Sequence, residues 1–132
     1  MSSPDVLKVL VVEDEQLVSM LVEDMLLDLG YEVAAVASNL KAGIKAVEQA
    51  QPDLAVLDVN LNGEKSFPIA DLLIRGGVPV VFASGYGLSG VRDVYPTVPV
   101  VQKPFTQIAL ANALERACSA VGKQVPEGPA QL

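Results

Sequence analysis

Short apolar runs alternate along this chain with longer segments in which apolar residues recur every three or four positions. Leu7 to Val12 is nearly all apolar, as expected of a strand covered on both faces. Gln16 to Leu29 carries Leu17, Met20, Leu21, Met25 and Leu29 around much of a helical circumference, and Gly30 follows as a C-terminal cap. Glu32 to Val36 reads as a second strand. Asn39 to Ala50 is a helix with Leu40, Ile44 and Val47 on one face and Ser38 or Asn39 as its N-cap. Leu54 to Leu57 is a third strand. Pro68 to Arg75 is a short helix with Pro68 in its first turn and Gly76 beyond its end. Val78 to Ala83 and Val98 to Val101 are the fourth and fifth strands. Thr106 to Val121 closes the series as a helix with Ile108, Ala111, Leu114, Cys118 and Val121 on one stripe.

Two segments are weaker. Gly85, Gly87 and Gly90 fall within the stretch from Gly85 to Pro96, so a helix there is expected to be short or mobile. Gly122 to Leu132 is rich in Gly, Pro and polar residues and reads as a flexible C-terminal tail, leaving residues 1–121 as one domain with no output domain. Strand–helix alternation predicts an α/β fold: a flavodoxin-like, doubly wound, five-stranded parallel sheet with helices on both faces. The expected strand order is 2-1-3-4-5, with a ligand crevice at the carboxyl ends of strands 1 and 3.

Composition narrows the function. The 132 residues are 51% hydrophobic, enough for one filled core. A net charge of -7 disfavours a nucleic-acid surface and an anionic membrane face. The chain has no histidine, which excludes a histidine metal ligand, a histidine base and a phosphohistidine carrier. Cys118 is its single cysteine, so no internal disulfide forms, and the residue reads as a small core side chain on a helix. Met1 to Asp5 has no signal-peptide pattern and no apolar run reaches the roughly 18 residues of a membrane span, so the expected location is the cytoplasm.

The chemistry collects at the strand ends. Glu13 and Asp14 close the first apolar run, Asp58 the third and Ser84 the fourth, and Lys103-Pro104 follows the fifth. Each residue alone is equally at home as a helix cap, a turn residue or a solvated charge. Together, in one crevice, three carboxylates repel, and each has a raised pKa unless a cation intervenes. Mg2+ is the natural guest, being hard and commonly held by one or two carboxylates plus phosphate oxygens. An aspartate can attack phosphorus and form an acyl phosphate, with positioning and cations supplying most of the catalysis. Lys103 would place a point charge on one phosphoryl oxygen and Ser84 a hydroxyl on another.

With these residues in place, the chain resembles the receiver domain of two-component response regulators over residues 5 to about 121. Val11-Val12-Glu13-Asp14-Glu15 is similar to the family's first strand and acidic pair, Leu57-Asp58 to its phospho-acceptor, and Lys103-Pro104-Phe105 to its Lys-Pro-Phe. Asp14 and Asp58 are 44 residues apart, close to the family's usual separation. Phe82-Ala83-Ser84-Gly85-Tyr86 resembles the signature of the FAT GUY subgroup, which includes single-domain regulators. The resemblance implies that Asp58 receives a phosphoryl group and that Glu13, Asp14, Asp58 and the backbone carbonyl of Asn60 bind Mg2+. It implies that Ser84 and Lys103 read the phosphoryl group and that the Lys103-Pro104 bond is cis. The donor is then a sensor histidine kinase, of HWE type in that subgroup, or a histidine phosphotransfer protein.

The implied product is a switch, or a phosphate sink, rather than an enzyme. A downstream protein or a second copy would dock on the face made by helix 4, strand 5 and helix 5, where Val91, Val94, Tyr95 and Ile108 supply apolar surface. Asn60 and Tyr86 would set the lifetime of the acyl phosphate. Where many receivers carry an aromatic switch residue, three positions before the lysine, this chain has Val100. Two rival readings use the same parts: a docking module of this fold that takes no phosphate, and a Mg2+-dependent phosphatase with an aspartyl-phosphate intermediate.

Overall fold

A computed structural model describes residues 6–85 and 89–126 of the chain. In chain order the elements are β1 (Lys8–Val12), α1 (Gln16–Asp28), β2 (Glu32–Ala37), α2 (Leu40–Ala50), β3 (Leu54–Asp58), β4 (Asn60–Leu61) and β5 (Glu64–Lys65). There follow α3 (Phe67–Arg75), β6 (Val80–Ser84), α4 (Ser89–Val94), β7 (Val100–Gln102) and α5 (Gln107–Ser119). Five strands form one parallel sheet in the order β2-β1-β3-β6-β7, the expected 2-1-3-4-5 with the central strands renumbered for a small hairpin.

Successive residues of a strand point to opposite faces, and the core divides accordingly. Val9, Val11, Val56 and Val81 pack with Val22 and Leu26 of α1 and with Leu110, Leu114 and Cys118 of α5. Leu10, Val12, Leu57 and Phe82 pack on the other face with Ile69 and Leu73 of α3 and Val91 of α4, while Leu40, Ile44 and Val47 of α2 close over them. Each fully buried Leu or Val side chain contributes roughly 1.5–3 kcal/mol. Asn39 caps α2 by accepting the Ala42 N–H at 2.8 Å. Thr106 caps α5 by accepting the Ala109 N–H at 3.1 Å.

Helix faces differ from the sequence pattern. In α1 the buried residues are Ser19, Val22 and Leu26, while Leu17 is 77% exposed and Met20 and Leu21 are also exposed. A helix apolar around most of its circumference does not encode which side meets the sheet. In α5 the expected stripe is rotated: Leu110, Ala113, Leu114, Ala117 and Cys118 are buried, whereas Ile108 is 70% exposed and Val121 is exposed. Ala113 and Ala117 occupy the buried face although they are less hydrophobic than Ile108 and Val121. Val91, expected on the surface, is buried under α4.

The segment before β7 forms a short helix, α4, of six residues. Phe67, Phe82 and Tyr95 lie together, with ring centroids of Phe67 and Tyr95, and of Phe82 and Tyr95, each 5.2 Å apart. The Tyr95 hydroxyl bonds the Asp71 carboxylate and lies 3.2 Å from the Phe67 carbonyl oxygen, tying the end of α4 to α3. Burial and the Asp71 carboxylate push the Tyr95 phenol above its ordinary range.

Residues 123–126, the part of the expected tail that the structure describes, touch the domain. Lys123 Nζ donates to the Asp53 carbonyl oxygen at 2.6 Å, Val125 packs against the core, and Pro126 lies against Gly30. Val125 is partly buried, in a stretch whose composition gives no sign of it. No helix among the described residues is long and apolar enough to cross a membrane.

Candidate functional site

Parallel pairing brings the strand ends level. Val12 lies opposite Leu57, Asp58 opposite Ala83, and Ser84 opposite Gln102. The residue after β1 is Glu13, whose N–H donates to the Ala37 carbonyl at 3.0 Å, so the acidic pair starts at the rim of the sheet. Lys103 is fixed from the other side: its N–H donates to the Ser84 carbonyl at 2.8 Å, and its bond to Pro104 is cis, as the resemblance implies. Glu13 and Asp58 are buried, 4% and 6% exposed, Ser84 is buried beside them, and Asp14 is half-buried.

Lys103 reaches across the crevice. Its Nζ is 2.6 Å from Glu13 Oε1 and 2.9 Å from Asp58 Oδ2. Glu13, Asp14 and Asp58 can each offer a carboxylate oxygen such that all three lie within 4.8 Å of one another. At about 4 Å and an effective dielectric constant of about 20, like unit charges repel by roughly 4 kcal/mol. One ammonium therefore cannot neutralise three ionised acids, and hard oxygen donors with a surplus of negative charge suit a divalent cation such as Mg2+. The crevice is a cavity of about 530 Å3 whose lining includes Asp14, Asp58, Asn60, Ser84 and Lys103.

The acids do not titrate alike. Burial pushes the Glu13 carboxyl up to about 7, against the hydrogen bonds from Lys103 and the Glu15 N–H and with the help of the neighbouring Asp58 charge. Asp14 departs from the expectation of a raised pKa. Burial opposes its ionisation, but hydrogen bonds with Glu13 and the Asn62 N–H outweigh that and hold its carboxyl below the usual range. Burial also opposes the Lys103 charge, yet its contacts with Glu13 and Asp58 raise it above the ordinary lysine value.

Each of Glu13, Asp14, Asp58, Asn60, Ser84 and Lys103 is thus at the crevice or bonded within it. Asn60 donates its N–H towards Asp58 Oδ1 at 3.4 Å. Tyr86 lies outside the described residues. Val100 stands opposite Phe82 in the ladder, half-buried, with no ring to rotate. The sequence reading missed the β4–β5 hairpin, whose tip donates the Asn62 N–H to Asp14 Oδ2 at 3.1 Å. Its signal was present: Asn62-Gly63 is the dipeptide of a tight two-residue hairpin.

Residues 9–115 match the family described as response regulator receiver domain. The solution structure of SdrG from Sphingomonas melonis Fr1 is 38% identical, with a TM-score of 0.77, covering 89% of this chain and 98% of that one. The receiver domain of the PhyR response regulator from Erythrobacter litoralis is 26% identical, with a TM-score of 0.78, covering 93% of this chain and 96% of that domain. Transcriptional regulatory protein PdtaR of Mycobacterium tuberculosis is 28% identical over 117 residues, 85% of this chain and 57% of that protein. The chain spans 41% and 57% of the length of two of the curated relatives it matches.

Proposed function

The chain belongs to the response regulator receiver domain family, and from that premise we propose that it is a cytoplasmic phospho-acceptor switch in which Asp58 takes a phosphoryl group from a phosphohistidine of a sensor kinase or phosphotransfer protein. The observation that carries this reading is Lys103 Nζ bridging Glu13 and Asp58 at 2.6 and 2.9 Å, with Asp14 alongside.

A carboxylate oxygen of Asp58 forms the new bond to phosphorus as the bond from phosphorus to the donor imidazole nitrogen breaks. The leaving nitrogen keeps the electron pair. Mg2+, when bound, neutralises charge on the phosphoryl oxygens. Glu13, Asp14, Asp58 and the Asn60 carbonyl would hold it. Lys103 moves from the Asp58 carboxylate to a phosphoryl oxygen, and the Ser84 hydroxyl donates to another.

The phosphoryl group adds about 1.5 to 2 negative charges at neutral pH. Drawing Ser84 and Lys103 onto that charge shifts the loop from β6 into α4, and with it the surface around β7 and α5. A second protein that binds one arrangement better than the other reads the state. In this reading the chain is a regulator, not an enzyme acting on an external substrate.

The test is intact-mass spectrometry after incubation with acetyl phosphate. One added phosphoryl group in Mg2+ and none in excess EDTA is the expected result. No adduct, together with no binding of beryllofluoride, would instead establish a docking module. Steady release of phosphate from a generic phosphate ester would establish a phosphatase.

A further inference from the structure

Asp14 is the only one of the three acids that Lys103 does not touch among the contacts described, yet its orientation is fixed from elsewhere. The chain leaves β3 and immediately makes a hairpin in which Asn60 pairs with Lys65 and Leu61 with Glu64. Asn62 and Gly63 form its turn, with φ of +52° and +90°. The hairpin is anchored at both ends: Leu61 is buried in the core, and the Ser66 N–H donates to the Val59 carbonyl at 3.0 Å. At the turn, the Asn62 N–H has no partner in the ladder and is aimed across 48 residues of sequence at Asp14 Oδ2, 3.1 Å away. A carboxylate that accepts this hydrogen bond through Oδ2 still has lone pairs to offer a cation, and its rotation is restricted on the side facing the hairpin.

We propose that the β4–β5 hairpin is the positioning element of the metal site, its Asn62 N–H orienting the Asp14 carboxylate so that the second oxygen serves a divalent cation. The inference rests on the reading of the acidic crevice as a Mg2+ site. Partners that orient a ligating group in this way are worth about 10–100-fold in metal affinity. The hairpin also carries the Asn60 N–H, 3.4 Å from Asp58 Oδ1, so the same hairpin reaches two of the three acids.

The experiment measures Mg2+ binding by calorimetry on the native chain, on Gly63→Val and on Gly77→Val. Gly77 also has a positive φ, +76°, but lies in the turn between α3 and β6, away from the acids. A β-branched residue is strained at either glycine, so both variants are expected to melt lower without Mg2+. Only Gly63→Val is expected to bind Mg2+ about tenfold or more weakly; Gly77→Val should match the native chain. A folded Gly63→Val with native Mg2+ affinity overturns the inference, as does equal weakening in both variants. Should Gly63→Val not fold, the amide resonance of Asn62 decides: Asp14→Ala must shift it upfield and speed its exchange, and an unmoved resonance overturns the proposal. A native chain that binds no Mg2+ overturns the reading of the site itself, which separates the two failures.

Discussion

Replacing Lys103 with alanine is expected to slow phosphoryl incorporation at Asp58 by about 100-fold or more, the usual cost of removing one donor aimed at developing negative charge. The same substitution acts on the resting protein. Lys103 makes charge-assisted contacts with Glu13 Oε1 and Asp58 Oδ2, and both partners are buried. Losing them leaves clustered acids without a counter-charge and should lower stability by roughly 2–3 kcal/mol, as for hydrogen bonds to charged groups. The ammonium also competes with a metal ion for the same acids. Lys103→Ala should therefore bind Mg2+ more tightly than the native chain while transferring phosphoryl more slowly, and Mg2+ should restore much of the lost stability by mass action. Phosphorylation time courses and Mg2+ titrations of urea midpoints check both halves. Native phosphorylation kinetics in the variant would show that Lys103 serves only the fold.

The largest loss of stability is expected from Phe82→Ala, about 3–5 kcal/mol, the range for emptying a buried aromatic site. Phe82 is fully buried in β6, with its ring centroid 5.9 Å from that of Phe67 and 5.2 Å from that of Tyr95. It lies two residues before Ser84, so the cavity would open between α3, α4 and the strand that carries the hydroxyl. A domain of this size commonly has 5–15 kcal/mol in total, so the variant should unfold at a much lower urea concentration with an unchanged slope. Phe82→Leu, which fills most of the volume, should lose much less. A midpoint shift in Phe82→Ala as small as in Phe82→Leu would mean that α4 collapses into the space.

The strand ends were legible because they follow from two local facts: apolar runs that must be covered on both faces, and polar residues at the point where each run stops. Parallel topology then does the rest, since it brings Glu13, Asp58 and Ser84 to one edge whatever the helices do. Helix faces were less legible. Leu17, Met20 and Leu21 are as apolar as Val22 and Leu26, and only the crossing of α1 over the sheet decides between them. In α5 the buried alanines, Ala113 and Ala117, carry little hydrophobic signal of their own. The hairpin after Asp58 was missed because strands of two residues have no periodicity to read, although Asn62-Gly63 marks its turn. The lowered pKa of Asp14 rests first on its hydrogen bond with Glu13 and then on the Asn62 N–H of that hairpin, neither of which the strand pattern shows.

The most direct test of the account maps the acceptor. The chain is phosphorylated with acetyl phosphate and Mg2+, reduced with borohydride and digested, and its peptides are sequenced by mass spectrometry. Borohydride converts an aspartyl phosphate to homoserine. The account predicts homoserine at position 58, absent without Mg2+ and absent in Asp58→Asn. Homoserine at Asp14 or Asp53, or a phosphoryl group retained on Ser84 after reduction, would contradict it.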